Sequence, residues 1–139
     1  MAVRSLSLKL RTRGDADMHD LTDAVGEAVR ECGLRNGTVT IFCPSATSAV
    51  TTIEFEAGAL ADLRRAMDEI APPDAEYQHN RRWGDGNGHS HLRAALVGPS
   101  LTVPFVEGRL TLGTWQQIIF IDFDNRPRNR ELVLQAVGE

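Results

Sequence analysis

The sequence predicts an α+β fold made largely of antiparallel sheet, and three observations predict it. Two apolar stripes of helical spacing lie early, short β-branched runs dominate late, and 139 residues suffice for one domain with a real core. The expected unit is a single compact domain over residues 1–139 with two main helices.

Ser5 to Arg11 alternates polar and apolar residues with period two, which reads as a half-buried strand with its leucines inward, closed by Gly14 and Asp15. Asp17 reads as the N-cap of a helix in which Leu21, Ala24, Val25, Ala28 and Val29 recur at helical spacing until Gly33, a C′ residue. Asn36-Gly37 is a turn signal. Thr38 to Cys43 and Ala49 to Glu56 follow as strands, with a loop around Pro44 because a central strand excludes proline. Leu60, Leu63, Met67 and Ile70 form the stripe of a second helix, stopped by Pro72-Pro73. Residues 72–90 carry no apolar period, and a long unpatterned stretch in a small domain points to a binding or catalytic loop. His91 to Val97 fits a short helix ended by Gly98. Leu101 to Val106, Arg109 to Leu112, Gln116 to Phe123 and Glu131 to Val137 then read as strands, with turns at Glu107-Gly108 and Asn125 to Pro127.

Composition narrows the function. The 15 basic residues against 19 acidic ones leave a net charge of −4, which argues against a general nucleic-acid binder. Lys9 is the sole lysine, so positive charge is almost wholly guanidinium, the group suited to bidentate grip on phosphate or carboxylate. Cys32 and Cys43 are too few for a disulfide framework and read as small buried residues. No apolar run approaches the roughly 18 residues of a membrane span, and the N-terminal stretch lacks the apolar region of a signal peptide. The expectation is a soluble cytoplasmic protein without a membrane partner. No GxSxG, P-loop or GxGxxG is present to support serine hydrolysis, NTP hydrolysis or dinucleotide binding.

The chemistry concentrates in YQHNRRWGDGNGHSHLRAAL, residues 77–96, which holds three of the four histidines. His79, Asp85, Asn87, His89 and His91 supply imidazole, carboxylate and amide groups of the kinds that hold a divalent metal, Zn or Mg; the competing reading is a polar surface loop. An extended backbone would aim His89 and His91 to one face, whereas a helix would turn them to nearly opposite sides. Arg81, Arg82 and Arg93 flank the histidines and suit an anion, especially a phosphate, unless the first two are plain surface charge. Trp83 and Trp115 offer stacking faces or ordinary apolar mass. Glu54 and Glu56 alternate in phase at a strand end, where they face either the loop or solvent. His79 or His91 would serve as general base where it is not a ligand.

Three groups of residues also carry a family resemblance. They are Ala49-Val50-Thr51-Thr52-Ile53-Glu54, then Tyr77 to Asn80 with Asn87 to His91, then Gly98 to Pro104 with Glu107 to Leu110 and Leu112 to Gln116. The chain resembles the YjbQ-like family, whose members carry the name secondary thiamine-phosphate synthase, over nearly its whole length. The resemblance implies an α+β homotrimer with polar residues gathered in a cleft near subunit contacts. His79, Asp85, His91 and Glu54 match its recurrent polar positions, and Arg109, Gly113, Trp115 and Gln116 its closing motif. Ser45 stands where many members carry histidine, so a three-histidine metal site would need His89 in its place. The implied activity joins a pyrimidinylmethyl diphosphate to a thiazole phosphate. A different metal-assisted enzyme on a small phosphorylated metabolite, or a non-catalytic trimer that binds a metabolite or partner, uses the same residues.

Overall fold

A computed structural model describes residues Met1–Glu139. The elements run β1 (Ala2–Thr12), β2 (Asp17–Asp20), α1 (Thr22–Glu31), β3 (Gly37–Phe42), β4 (Ser48–Ile53), α2 (Ala57–Ile70), α3 (Gln78–Trp83), α4 (Gly88–Val97), β5 (Ser100–Val106), β6 (Arg109–Leu110), β7 (Gln117–Asp122) and β8 (Arg128–Gly138). They form a five-stranded sheet in the order β1-β8-β3-β5-β6 and a three-stranded sheet in the order β2-β7-β4, every pairing antiparallel.

The α+β class is as the sequence implies, and the layering explains the one strand that does not alternate. Ile118 and Phe120 of β7 pack with Val25 and Val29 of α1 and with Val39, Ile41, Val103, Phe105, Leu132 and Leu134 of the large sheet. Ile119, Ile121 and Phe123 point the other way, onto Met67 of α2 and Ala94 of α4. A strand covered on both faces reads as a continuous apolar run rather than an alternation. The order is therefore large sheet with α1, small sheet, then α2 and α4.

Four boundaries differ from the sequence reading. Asp17 does not cap α1: it lies in β2 opposite Asp122. Its carboxylate takes the backbone N–H of Arg13 at 2.9 Å, and Asp20, not Asp17, accepts the Thr22 amide at the helix start. A four-residue edge strand containing two aspartates and a histidine has too little apolar signal to be read as one. The Glu54–Glu56 segment leaves β4 at Ile53, and the Glu56 carboxylate caps α2 through the Gly58 and Ala59 amides. The stretch read as a loop holds α3, and α4 begins at Gly88, earlier than His91. There are thus four helices, where the sequence reading has two main ones and a short third.

Gly14, Asp15 and Ala16 all have left-handed φ angles, +80°, +52° and +64°, as the chain turns from β1 into β2. A Cβ at Gly14 would stand 2.5 Å from the carbonyl oxygen of Asp124 and 2.7 Å from that of Arg126. Gly14→Ala is expected to cost about 2–4 kcal/mol, combining the left-handed penalty with a forced backbone displacement. Urea unfolding would show it as a lower midpoint at unchanged slope.

Candidate functional site

The histidine segment folds as two short helices joined by a glycine-rich elbow. Gly84 and Gly86 both take φ +64°, and the Asn80 side-chain carbonyl accepts the Gly88 amide at 2.8 Å, so α3 holds the first turn of α4. Asn87 is buried, and its side-chain oxygen accepts the Asn125 amide at 3.2 Å. The Ser90 hydroxyl donates to the Phe123 carbonyl, which anchors α4 to the end of β7.

This arrangement brings His79 and His91 face to face, with ring centroids 4.1 Å apart and planes tilted by 36°. Asp85 Oδ1 stands 3.4 Å from His79 Nδ1, within ion-pair range but outside hydrogen-bond geometry, because that nitrogen has no hydrogen-bond partner. Burial, and next the neighbouring His79, hold the His91 pKa below its ordinary value. His91 is therefore a neutral imidazole at neutral pH, competent to take a proton.

His89 is elsewhere. Two residues apart on a helix, His89 and His91 diverge, as the helical alternative anticipates. His89 shares its face with Arg93, four residues on, and burial followed by the Arg93 charge lowers its pKa. Arg93 is partly committed within the fold: Nε donates to the Ala71 carbonyl at 3.0 Å and Nη2 to Asp68 at 2.9 Å, tying α4 to α2 and leaving only its Nη1 edge for an anion. His79, Asp85, His89 and His91 do not converge, and no three His, Cys, Asp or Glu side chains of the chain are grouped as a metal set.

The other expected site residues spread outward. Arg81 is exposed and pairs with Glu76 at 3.1 Å; the Arg82 guanidinium lies 5.3 Å from the Trp83 ring, itself exposed. Trp115 is also exposed, and Gln116 holds its turn by accepting the Gly113 amide. Arg109 lines a separate hollow against α1. Glu54 stands at the wrong end of β4. The histidines lie toward Ser48, which pairs with Asp122, and at roughly 3.3 Å per residue Glu54 is about 20 Å farther along.

Sequence reading missed a buried ion network. Arg130 forks onto Asp122 through Nε at 2.7 Å and Nη2 at 2.9 Å, and Nη2 also donates to Thr47 Oγ1 at 2.8 Å. The Thr47 hydroxyl donates to Asp124 at 2.9 Å, and Arg128 approaches the same carboxylate at 3.1 Å. Burial alone would raise the Asp124 pKa, but the contacts from Thr47 and Arg128 hold it below the usual value. Burial opposes charge on Arg130 as well, and Asp122 more than offsets it. The signal was present in Ile-Ile-Phe-Ile-Asp-Phe-Asp: acidic residues inside an apolar run are almost never buried unpaired.

The family model described as UPF0047 protein YjbQ-like matches residues 6–139. The chain belongs to the YjbQ-like UPF0047 family. A UPF0047 protein of Methanothermobacter thermautotrophicus is 39% identical over 139 residues, spanning 100% of this chain and 95% of that one. The UPF0047 protein YugU of Bacillus subtilis is 33% identical over 133 residues, 95% of this chain and 98% of its own. Among solved structures, a hypothetical protein from Aeropyrum pernix K1 superposes with a TM-score of 0.90 at 33% identity, covering 98% of this chain and 99% of its own. A YbjQ-like protein of unknown function from Sulfolobus solfataricus P2 gives 0.89 at 28% identity, covering 99% of this chain and 100% of its own. The family resemblance read from the three motif groups is correct. No helix is long and apolar enough to cross a membrane.

Proposed function

We propose that the chain is an acid–base enzyme acting on a small phosphorylated metabolite, with His91 as the proton acceptor and His79 its paired imidazole. The observation that carries this is the 4.1 Å contact between the rings, with His91 kept neutral. Asp85, 3.4 Å from His79, is the carboxylate beside the pair, and its charge favours a proton on His91. The transfer that the resemblance suggests joins the thiazole nitrogen to the pyrimidinylmethyl carbon as the bond to diphosphate breaks. Its leaving group needs cationic donors, and Arg82, three residues from His79, shares its face of α3, with Arg81 one residue round the helix and paired to Glu76. The test is purified protein with both substrates, and with a panel of phosphomonoesters and diphosphates, with and without added Mg²⁺ or Zn²⁺. Turnover lost in His91→Ala supports the reading; wild type and variant turning over equally slowly would sink it.

A trimeric form belongs to the same proposal, and the large sheet gives it a surface. The outward positions of Thr38–Phe42, Ser100–Val106 and Val133–Val137 carry no charge, and Val133, Phe42 and Val106 are exposed there. Thr40 sits opposite both Gln135 and Thr102 at the centre of this face. Depletion of charge is the mark of an interface core. Wild type is expected to run at three times its chain mass in light scattering, and Thr40→Lys with Val133→Lys at the monomer mass. A monomeric wild type would remove the trimer. Assembly without turnover on any substrate would favour the second reading, a non-catalytic trimer that captures its ligand.

A further inference from the structure

Arg130 uses only two of its three nitrogens inside the protein. Nε and Nη2 carry its hydrogen bonds to Asp122 and Thr47, and Nη1 has none. The same side chain lines a hollow of about 200 Å³ between the Pro44–Ser48 loop and the start of β8, where Ser45 and Ser48 also line the wall. Ser48 is almost fully buried, and its hydroxyl has no oxygen or nitrogen partner, only the weakly bonding Cys43 thiol beside it. A buried hydroxyl left unpaired costs free energy unless something else satisfies it. A second hollow shares Arg130 and adds Lys9 and Arg11 at its rim.

We infer that this hollow is an oxyanion site that takes the phosphate of a phosphomonoester, or free phosphate itself. Its lining residues supply three donors of the required kind: the Nη1 edge of a guanidinium and two hydroxyls. Asp122 and Asp124 do not line the hollow, and Asp122 holds only the Nε–Nη2 edge of Arg130, which leaves the Nη1 edge to an anion. Lys9 and Arg11 line the neighbouring hollow and raise the local positive charge, set against the single carboxylate of Glu131, which lines both. The volume is several times the roughly 30 Å³ of one water, enough for a tetrahedral oxyanion with part of its solvent shell. Cys43 takes no part as a nucleophile, since burial pushes its thiol up to about 12.

No histidine lines the hollow, and its test is arranged to separate it from the histidine pair. Inorganic phosphate and phenyl phosphate are titrated into the full chain by calorimetry and by ¹⁵N chemical-shift mapping. Both are expected to bind, shifting the amides of residues 45–48 and 129–131. The paired change Ser45→Ala with Ser48→Ala is expected to weaken both at least fivefold while the protein still unfolds cooperatively, with only the small loss in melting temperature that the missing Ser45 acceptor of the Thr47 amide brings. Arg130→Lys keeps the charge but loses the fork, and is expected to weaken binding at least tenfold. His91→Ala is expected to bind phosphate as wild type does, so failure of the acid–base reading leaves this site standing. Phosphate that binds with equal affinity to the double serine variant, shifts that map to Arg81 and Arg82 instead, or no binding of either anion would each overturn it.

Discussion

Asp122→Asn is expected to lower the unfolding free energy by about 3–5 kcal/mol, the range for removing one partner of a buried ion pair. The reason is the state in which it leaves Arg130. Asp122 is fully enclosed, and the Arg130 side chain is only 14% exposed. Asparagine keeps the shape but leaves a guanidinium charge without its fork, and the Thr12 hydroxyl loses a charged acceptor. Arg130→Met should cost a similar amount by stranding the carboxylate. Asp122→Leu with Arg130→Met should recover most of the loss, because an apolar pair avoids the desolvation penalty altogether. Urea denaturation of wild type, Asp122→Leu, Arg130→Met and the double variant closes the cycle and gives the coupling energy. Independent, additive losses would mean that the two groups are not a matched pair.

The same network sets the response to acid. The folded pKa of Asp124 lies below its unfolded value, so its contribution is fully present above the unfolded pKa, near 3.9, and is lost as pH falls through the folded one. Asp17 has the same sign: burial alone would raise it, and the Arg13 amide and His19 hold it down. Stability should therefore decline below about pH 4, and Asp124→Asn should flatten that decline while lowering the plateau.

How much of this was legible depended on which face a residue serves. The helix stripe Leu21, Val25, Val29 and the alternation of Leu6, Leu8 and Leu10 each report one buried face, and each element is found where its period places it. β2 and the 78–83 helix were missed because neither buries an apolar stripe: the first is a four-residue polar edge, the second has no buried residue at all. At the site, density of histidines marked the right segment but not its geometry. The helix that starts at Gly88 decides that His91 meets His79 and that His89 and Arg93 turn inward together. Glu54 alternates in phase with Glu56 and so reads as part of a carboxylate face toward the loop or solvent, but the chain leaves β4 at Ile53 and strand direction carries it away from the histidines. Arg130 and Asp122 are eight residues apart and seemed ordinary singly; only the turn between β7 and β8 makes them partners.

His79→Ala should move the His91 titration upward in pH, and Asp85→Asn should move it downward. Both signs follow from the neighbours of His91. Burial comes first and the His79 charge second in lowering its pKa, so removing His79 relieves repulsion and opens the ring to water together. Asp85 acts the other way, favouring the charged ring, and its neutral isostere takes that support away. The titration is read from the His91 ring protons by NMR, which requires no substrate, and wild type should titrate below the ordinary value near 6.5. Catalysis must then obey the same order if His91 takes the proton. The acid limb of the rate profile should fall below pH 6.5 in wild type, rise in His79→Ala and drop in Asp85→Asn. His91→Ala should lose about 10²–10⁴-fold in kcat, the usual worth of a positioned acid–base group. A rate limb that stays fixed while the NMR titration moves would separate His91 from the chemistry and leave the pair as a binding surface.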